Sequence, residues 1–176
     1  VYTGGKLMQM VINSTTTTAE GDISTTSDIL NFTYDATGLP LTLTYDNATY
    51  YYVTNVQGDV VSILDSSGQS VVTYSYSAWG ACRSISGEMA GDLGVINPLR
   101  YRGYVYDSET GLLYLQTRYY NATIGRFINA DAFTSTSQGF QGSNVFAYCG
   151  NNPVMHMKKY LTIIVQLERV SNWNWI

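Results

Sequence analysis

Only a few side chains in this sequence could do chemistry, and their spacing limits what that chemistry is. Asp107 and Glu109 stand two residues apart in YDSETG. Two carboxylates held together cannot both ionise, so one serves as acid and the other as base. Asp107, however, also opens a turn that Gly111 closes, and that duty competes with catalysis. His156 is the only histidine, so no Ser-His-Asp or Cys-His set can be assembled. Zinc lacks the ligand count it needs, so no metal and no cofactor is expected. Cys82 and Cys149 could pair or stay free; left free, they are expected as small buried apolar residues. Arg100, Arg102 and Arg118 could form a binding patch, or could pair with acids and stack on tyrosine.

The elements that would position these groups are strands and turns. Charged residues make up 12% of the chain, against about 25% in a typical soluble domain, and there are 16 tyrosines. Aromatic and β-branched side chains favour pleated strands, whereas Ala, Glu and Lys, which favour helices, are scarce. Four turns share one grammar: YDATG (34–38), LDSSG (64–68), YDSETG (106–111) and YNATIG (120–125). Each opens with Asp or Asn, whose side chain can bond the backbone two residues on. Each closes with Gly, which reaches positive φ without a Cβ clash. NVQGD (55–59) is a looser fifth case.

Between the turns, strands are expected at 41–45, 50–55, 59–64, 71–76, 112–120 and 126–130. In LLYLQTRYY (112–120), Leu113, Leu115, Thr117 and Tyr119 would share one face, with Tyr114, Gln116, Arg118 and Tyr120 on the other. Tyrosines there are expected to stack between hairpins with their hydroxyls at the wet edge. Trp79 in SAWG and Phe127 in GRF read as packing anchors. Residues 13–28 suit a hairpin with a long mobile tip. Residues 84–97 suit a loop with one helical turn, ending at Pro98. The hairpins recur roughly every twenty residues, and such repeats bury a face only against neighbours. The first strand would carry an open edge that preceding repeats would cover.

The net charge of −4 and pI near 4.7 argue against nucleic acid as a partner. No run of 18 apolar residues marks a membrane span. Rows of tyrosine could stack on sugar rings, so carbohydrate stays open as a ligand.

The block NPLRYRGYVYDSETGLLYLQTRYYNATIGRFINAD (97–131), followed by NVFAYCGNNPV (144–154), resembles the Rhs repeat-associated core. YYYVTNVQGDVVSILDSSGQSVVTYSYSAWG (50–80) resembles the YD repeats that precede such a core. The resemblance implies an all-β fold: antiparallel hairpin repeats of a spiral shell ending in a core plug, with a short C-terminal helix or strand. It divides the chain into repeats (1–80), a loop (81–97), the core (98–154) and a divergent tail (155–176). It implies a secreted or cell-surface polymorphic toxin whose shell encloses a C-terminal effector. Its partners would be upstream repeats of the same polypeptide and that effector.

Some family cores cut the chain after themselves with an aspartyl-type pair. The resemblance places the first carboxylate at Asp131 in GRFINAD and gives Arg126 an orienting role. The second carboxylate belongs in an Asp-Pro sequence just after NNPV, where this chain has Met155, His156, Met157, Lys158 and Lys159. No Asp follows Asp131. Self-cleavage is therefore not expected, and Asp131 reads equally as a turn residue. The same resemblance leaves Tyr106, Asp107, Gly111, Tyr119, Tyr120, Gly125, Phe127 and Trp79 as turn and packing residues. Two alternatives remain: an active autoprotease with another partner for Asp131, or a glycan-binding surface repeat.

Overall fold

The computed structural model describes residues 1–18, 20–130 and 144–156. β1 (Tyr2–Thr3) and β2 (Lys6–Leu7) form a short opening hairpin. Seven strands then follow as a meander, each pairing antiparallel with the next. They are β3 (Gln9–Thr17), β4 (Ile23–Tyr34), β5 (Pro40–Tyr45), β6 (Ala48–Thr54), β7 (Val60–Leu64), β8 (Ser70–Tyr76) and β9 (Cys82–Ser86). One helical turn, α1 (Leu93–Ile96), leads into a second meander. It comprises β10 (Val105–Asp107), β11 (Leu112–Tyr114), β12 (Tyr119–Asn121) and β13 (Arg126–Phe127). The architecture is the all-β array of antiparallel hairpins that the sequence led us to expect. Among the described residues no helix is long and apolar enough to cross a membrane.

Strand alternation decides which face is buried. Register sets Phe32 beside Leu43 and Leu43 beside Tyr50; further along, Tyr52 faces Ile63 and Ile63 faces Val72. All of these are buried, and Leu93 of α1 and Leu99 pack into the same cluster. The opposite face carries hydroxyl pairs across the ladder: Thr33 with Thr42 at 2.6 Å and Ser75 with Ser84 at 2.7 Å.

Five connections in the large sheet share one hydrogen-bond pattern, opened by Thr18, Asp35, Asn55, Asp65 and Ser77 and closed by Gly21, Gly38, Gly58, Gly68 and Gly80. In each, the opening side chain accepts the N–H four residues on, at 2.9–3.2 Å. In each, the glycine N–H bonds the opening carbonyl with the glycine at positive φ, between 83° and 91°. The β5–β6 connection differs: Asp46 and Asn47 both take positive φ, which makes a two-residue hairpin whose twist matches the strands.

The structure corrects several local expectations. Residues 13–28 lie within a nine-pair ladder, from Gln9 beside Asn31 to Thr17 beside Ile23, closed by the tight turn at 18–22 rather than a long tip. LLYLQTRYY is two strands: the chain reverses where Leu115 N–H bonds the Arg118 carbonyl, with Gln116 at φ 62°. Local alternation could not reveal this, because a positive-φ Gln has no sequence signature. The strand expected at 126–130 spans only Arg126–Phe127. The loop placed at 81–97 contains β9 as well as α1. The tail from 157 onward, and with it the expected terminal helix or strand, lies outside the described residues.

Candidate functional site

The polar groups with unusual burial converge where the last repeats meet the second meander. Asn97, wholly buried, uses its full amide capacity. Its Oδ1 accepts from the Tyr52 hydroxyl at 2.6 Å and from Leu99 N–H at 3.3 Å. Its Nδ2 donates to the Tyr74 hydroxyl at 3.2 Å and to the Leu99 carbonyl at 2.8 Å. A buried amide satisfied on all sides fixes the junction in one arrangement.

Arg100 is buried and reads backbone. It donates to the carbonyls of Asn97 (3.0 Å), Gly94 (3.2 Å) and Val95 (2.7 Å), the C-terminal end of α1, where partial negative charge collects. Its guanidinium lies 4.3 Å from the Tyr106 ring centroid. Arg118 donates to the Val145 carbonyl at 3.2 Å and sits 3.6 Å over the Phe127 ring. Arg102 donates to the Pro153 carbonyl at 2.5 Å. The three arginines are buried rather than gathered in a surface patch, and each donates to main-chain carbonyls. Stacking on rings accompanies this.

Tyrosine hydroxyls do the same; of the tyrosines in 112–120 expected at the wet edge, Tyr120 is buried, whereas Tyr119 is exposed. Tyr101 donates to the Ala78 carbonyl at 3.0 Å and Tyr120 to the Trp79 carbonyl at 2.7 Å, so both grip the 77–81 turn. Tyr74 reaches the Gly94 carbonyl at 2.9 Å, and Tyr76 the Val60 carbonyl at 2.8 Å. Tyr120 stacks on Tyr148 with centroids 4.2 Å apart. Burial pushes these phenols up: Tyr104 to about 12, with Tyr120 and Tyr148 higher still.

The remaining sequence candidates fall as follows. Asp107 accepts from Glu109 N–H (3.0 Å) and from the Thr110 hydroxyl (2.8 Å), and the Thr110 bond leads in holding its carboxyl below the usual range. Gly111 takes φ 71° and donates to the Asp107 carbonyl at 2.8 Å. Gly125, at φ 68°, packs so close to Trp79 that a Cβ would sit 2.8 Å from the ring. Phe127 is buried, and Tyr119 is exposed with its ring 5.2 Å from Tyr114. Arg126 is exposed on β13, opposite Asn121 and bridged to Ala147. Asp131 lies outside the described residues. Cys82 is exposed and Cys149 half-buried, both free, so the expectation of two buried thiols fails. Among the described residues no three His, Cys, Asp or Glu side chains gather as metal ligands.

Two turn openers, Thr18 and Ser77, escaped sequence reading, although each stands three residues before a glycine as Asp35 and Asp65 do. Arg102 at φ 54° escaped it with no signal beyond the Gly that follows.

The teneurin YD-shell model matches residues 18–154. The chain belongs to this family. Relatives place the YD-shell within large bacterial proteins. It is 39% identical over 127 residues to the tRNA3(Ser)-specific nuclease WapA of Bacillus spizizenii, and equally so to the tRNA nuclease WapA of Bacillus subtilis. That alignment covers 72% of this chain and 5% of the relative. A double-stranded DNA deaminase toxin of Burkholderia cenocepacia is 29% identical over 102 residues, 58% of this chain and 7% of that one. Among solved structures, the TcdB2–TccC3–Cdc42 complex superposes with a TM-score of 0.64 at 25% identity, over 76% of this chain and 6% of that one. The Tc holotoxin pore of Photorhabdus luminescens gives 0.62 at 23% identity, over 84% of this chain and 7% of that one. The YD-shell described here is thus an Rhs-type shell segment, and it spans a small fraction of the proteins it matches.

Proposed function

We propose that this segment is the closing end of an Rhs/YD-repeat toxin shell: the last hairpin repeats and the plug that seals them around a C-terminal effector. Its role is structural. Preceding repeats of the same polypeptide would pair with the open side of β3, and the whole would act outside the cell that makes it or at its surface. The observation that carries the reading is the double grip of Tyr101 and Tyr120 on the 77–81 turn. It locks the second meander onto the end of the first, as a plug requires.

The segment does not cut itself in this reading. No Asp follows Asp131, the only later acid is Glu168, and the position just after NNPV holds no carboxylate that could share a proton with it. Mass spectrometry of the purified chain is expected to return the intact mass through Ile176. A product ending shortly after the plug would overturn this and restore an autoprotease built on Asp131 and Arg126. Carbohydrate binding keeps one supporting observation: Tyr2, Tyr114 and Tyr119 form a contiguous aromatic cluster, with centroids 6.2 Å and 5.2 Å apart, and Tyr2 and Tyr119 are exposed. A glycan array without a hit would retire it.

A further inference from the structure

Residues 153–156 leave the second meander and lie against the turn at 55–59, and the contacts between them are of one kind. Arg102 Nη2 donates to the Pro153 carbonyl at 2.5 Å, and Nη1 to the His156 carbonyl at 3.4 Å. Gln57 Nε2 donates to the Val154 carbonyl at 3.4 Å. Arg102 Nη2 also reaches Gln57 Oε1 at 3.3 Å, so the two donors are tied together. Every acceptor on the 153–156 segment is a main-chain oxygen.

The site is built rather than incidental. Arg102 is held at φ 54°, a conformation rare for a residue with a side chain. Its N–H is received by the buried Asp59 carboxylate at 3.0 Å, and the other carboxylate oxygen takes the Asn55 amide at 2.7 Å. Gly58 closes the turn at φ 84°, and a Cβ there would stand 3.1 Å from Leu39 Cδ2. Arg102 Nε is buried with no hydrogen-bond partner. A charged side chain kept only for stability is a poor choice where one of its donors must stay unsatisfied.

We propose that Arg102 and Gln57 form a strap site that binds the turning main chain at 153–156 through its carbonyls and fixes the point where the chain leaves the plug. Carbonyl recognition ignores side chains. The strap would therefore hold the exit in place whatever sequence follows, which suits a plug joined to variable partners. The proposal stands whether or not an effector is enclosed.

Hydrogen exchange of the full chain tests it. Met155 N–H bonds Asn152 Oδ1, and His156 N–H bonds the Asn152 carbonyl, both at 3.1 Å, so their protection reports an ordered strap. Arg102→Lys offers a point charge in place of a planar fork and should speed exchange at these two amides about tenfold. Gln57→Ala should speed it about threefold. Amides of β6, β7 and β8 should keep their rates in both variants. Unchanged exchange at 155–156 in both variants would overturn the proposal. So would a rise spread equally over β6–β8, which marks Arg102 as a general support. If Arg102→Lys does not fold, Gln57→Ala decides alone, because its side chain lies outside the buried core.

Discussion

The seven-stranded sheet and the four-stranded meander proposed as the plug are both antiparallel, yet they are held by different forces. Strands of the large sheet run five to twelve residues and carry their own ladder, turn caps and apolar face. Plug strands have two or three residues, too few to bury a face or to close a stable ladder alone. The plug compensates with side chains that bond distant backbone: Arg100, Arg118, Tyr101 and Tyr120 each satisfy carbonyls in other segments. Its buried cluster is correspondingly aromatic, with Tyr101, Tyr104, Tyr120 and Tyr148 beside Leu113, Leu115 and Phe127. In the sheet the buried set is led by Leu30, Phe32, Leu43, Val60, Ile63 and Val72. Regular repeats stabilise themselves, whereas an irregular cap depends on what it caps.

Alkali should separate the two regions most strongly. A phenol whose folded pKa is raised stabilises the fold fully below its unfolded pKa, about 10, and loses that contribution as pH climbs toward the folded value. Burial raises Tyr104 to about 12, and Tyr101, Tyr120 and Tyr148 upward as well. Tyr104 alone then weakens the plug by about 1 kcal/mol near pH ~11. Burial raises sheet phenols such as Tyr52 and Tyr76 as well, but the plug, with strands of two or three residues, has less else to hold it and should open before the sheet. Tyrosinate absorbance and circular dichroism measured together above pH ~10 are expected to show phenol ionisation ahead of the loss of strand signal. A single coincident transition would mean that the regions unfold as one.

Much of the sheet was legible in the sequence because its signals are local. Asp35 to Gly38, Asn55 to Gly58 and Asp65 to Gly68 state their turns outright, and alternation in residues 41–45 or 71–76 states which face is buried. The family was recognisable by resemblance, but the path of the second meander was not derivable. Nothing near Leu115 announces that the chain reverses there. Nor does the sequence around Tyr101 say that its hydroxyl meets Ala78, 23 residues away. The stacking of Arg100 and Arg102 on tyrosine was legible, but their carbonyl acceptors were not, because every residue has a carbonyl and no sequence marks one.

Glycines at equivalent turn positions sharpen the contrast. Gly68 and Gly80 both close five-residue turns, at φ 83° and 91°. A Cβ at Gly68 would meet open space, but one at Gly80 would lie 2.4 Å from the Tyr101 ring. Gly68→Ala should cost about 1–2 kcal/mol, the strain of the left-handed backbone alone. Gly80→Ala adds a clash with a fully packed ring and should cost roughly 3–5 kcal/mol. Chemical denaturation of both variants checks this. Equal losses would show that the plug does not press on the last turn.

The smallest effect concerns the acid side, where the turns themselves differ. Asp35 and Asp65 open repeat turns with carboxylates held below the usual range, led by hydrogen bonds from the Thr37 and Ser67 hydroxyls. A depressed folded pKa contributes stability above the unfolded value, near pH ~4, that is lost as pH falls through the folded one. Asn55 closes the same turn with a neutral amide, accepting Gln57 N–H at 2.9 Å and Asp59 N–H at 3.0 Å. The double variant Asp35→Asn, Asp65→Asn should therefore fold as well as the parent near pH ~7 and lose less between pH ~4 and ~2. Thermal melts across that window provide the measurement. If parent and variant fall in parallel, the charge on these side chains contributes nothing, and the acid response belongs to the other carboxylates, Asp107 of the plug first among them.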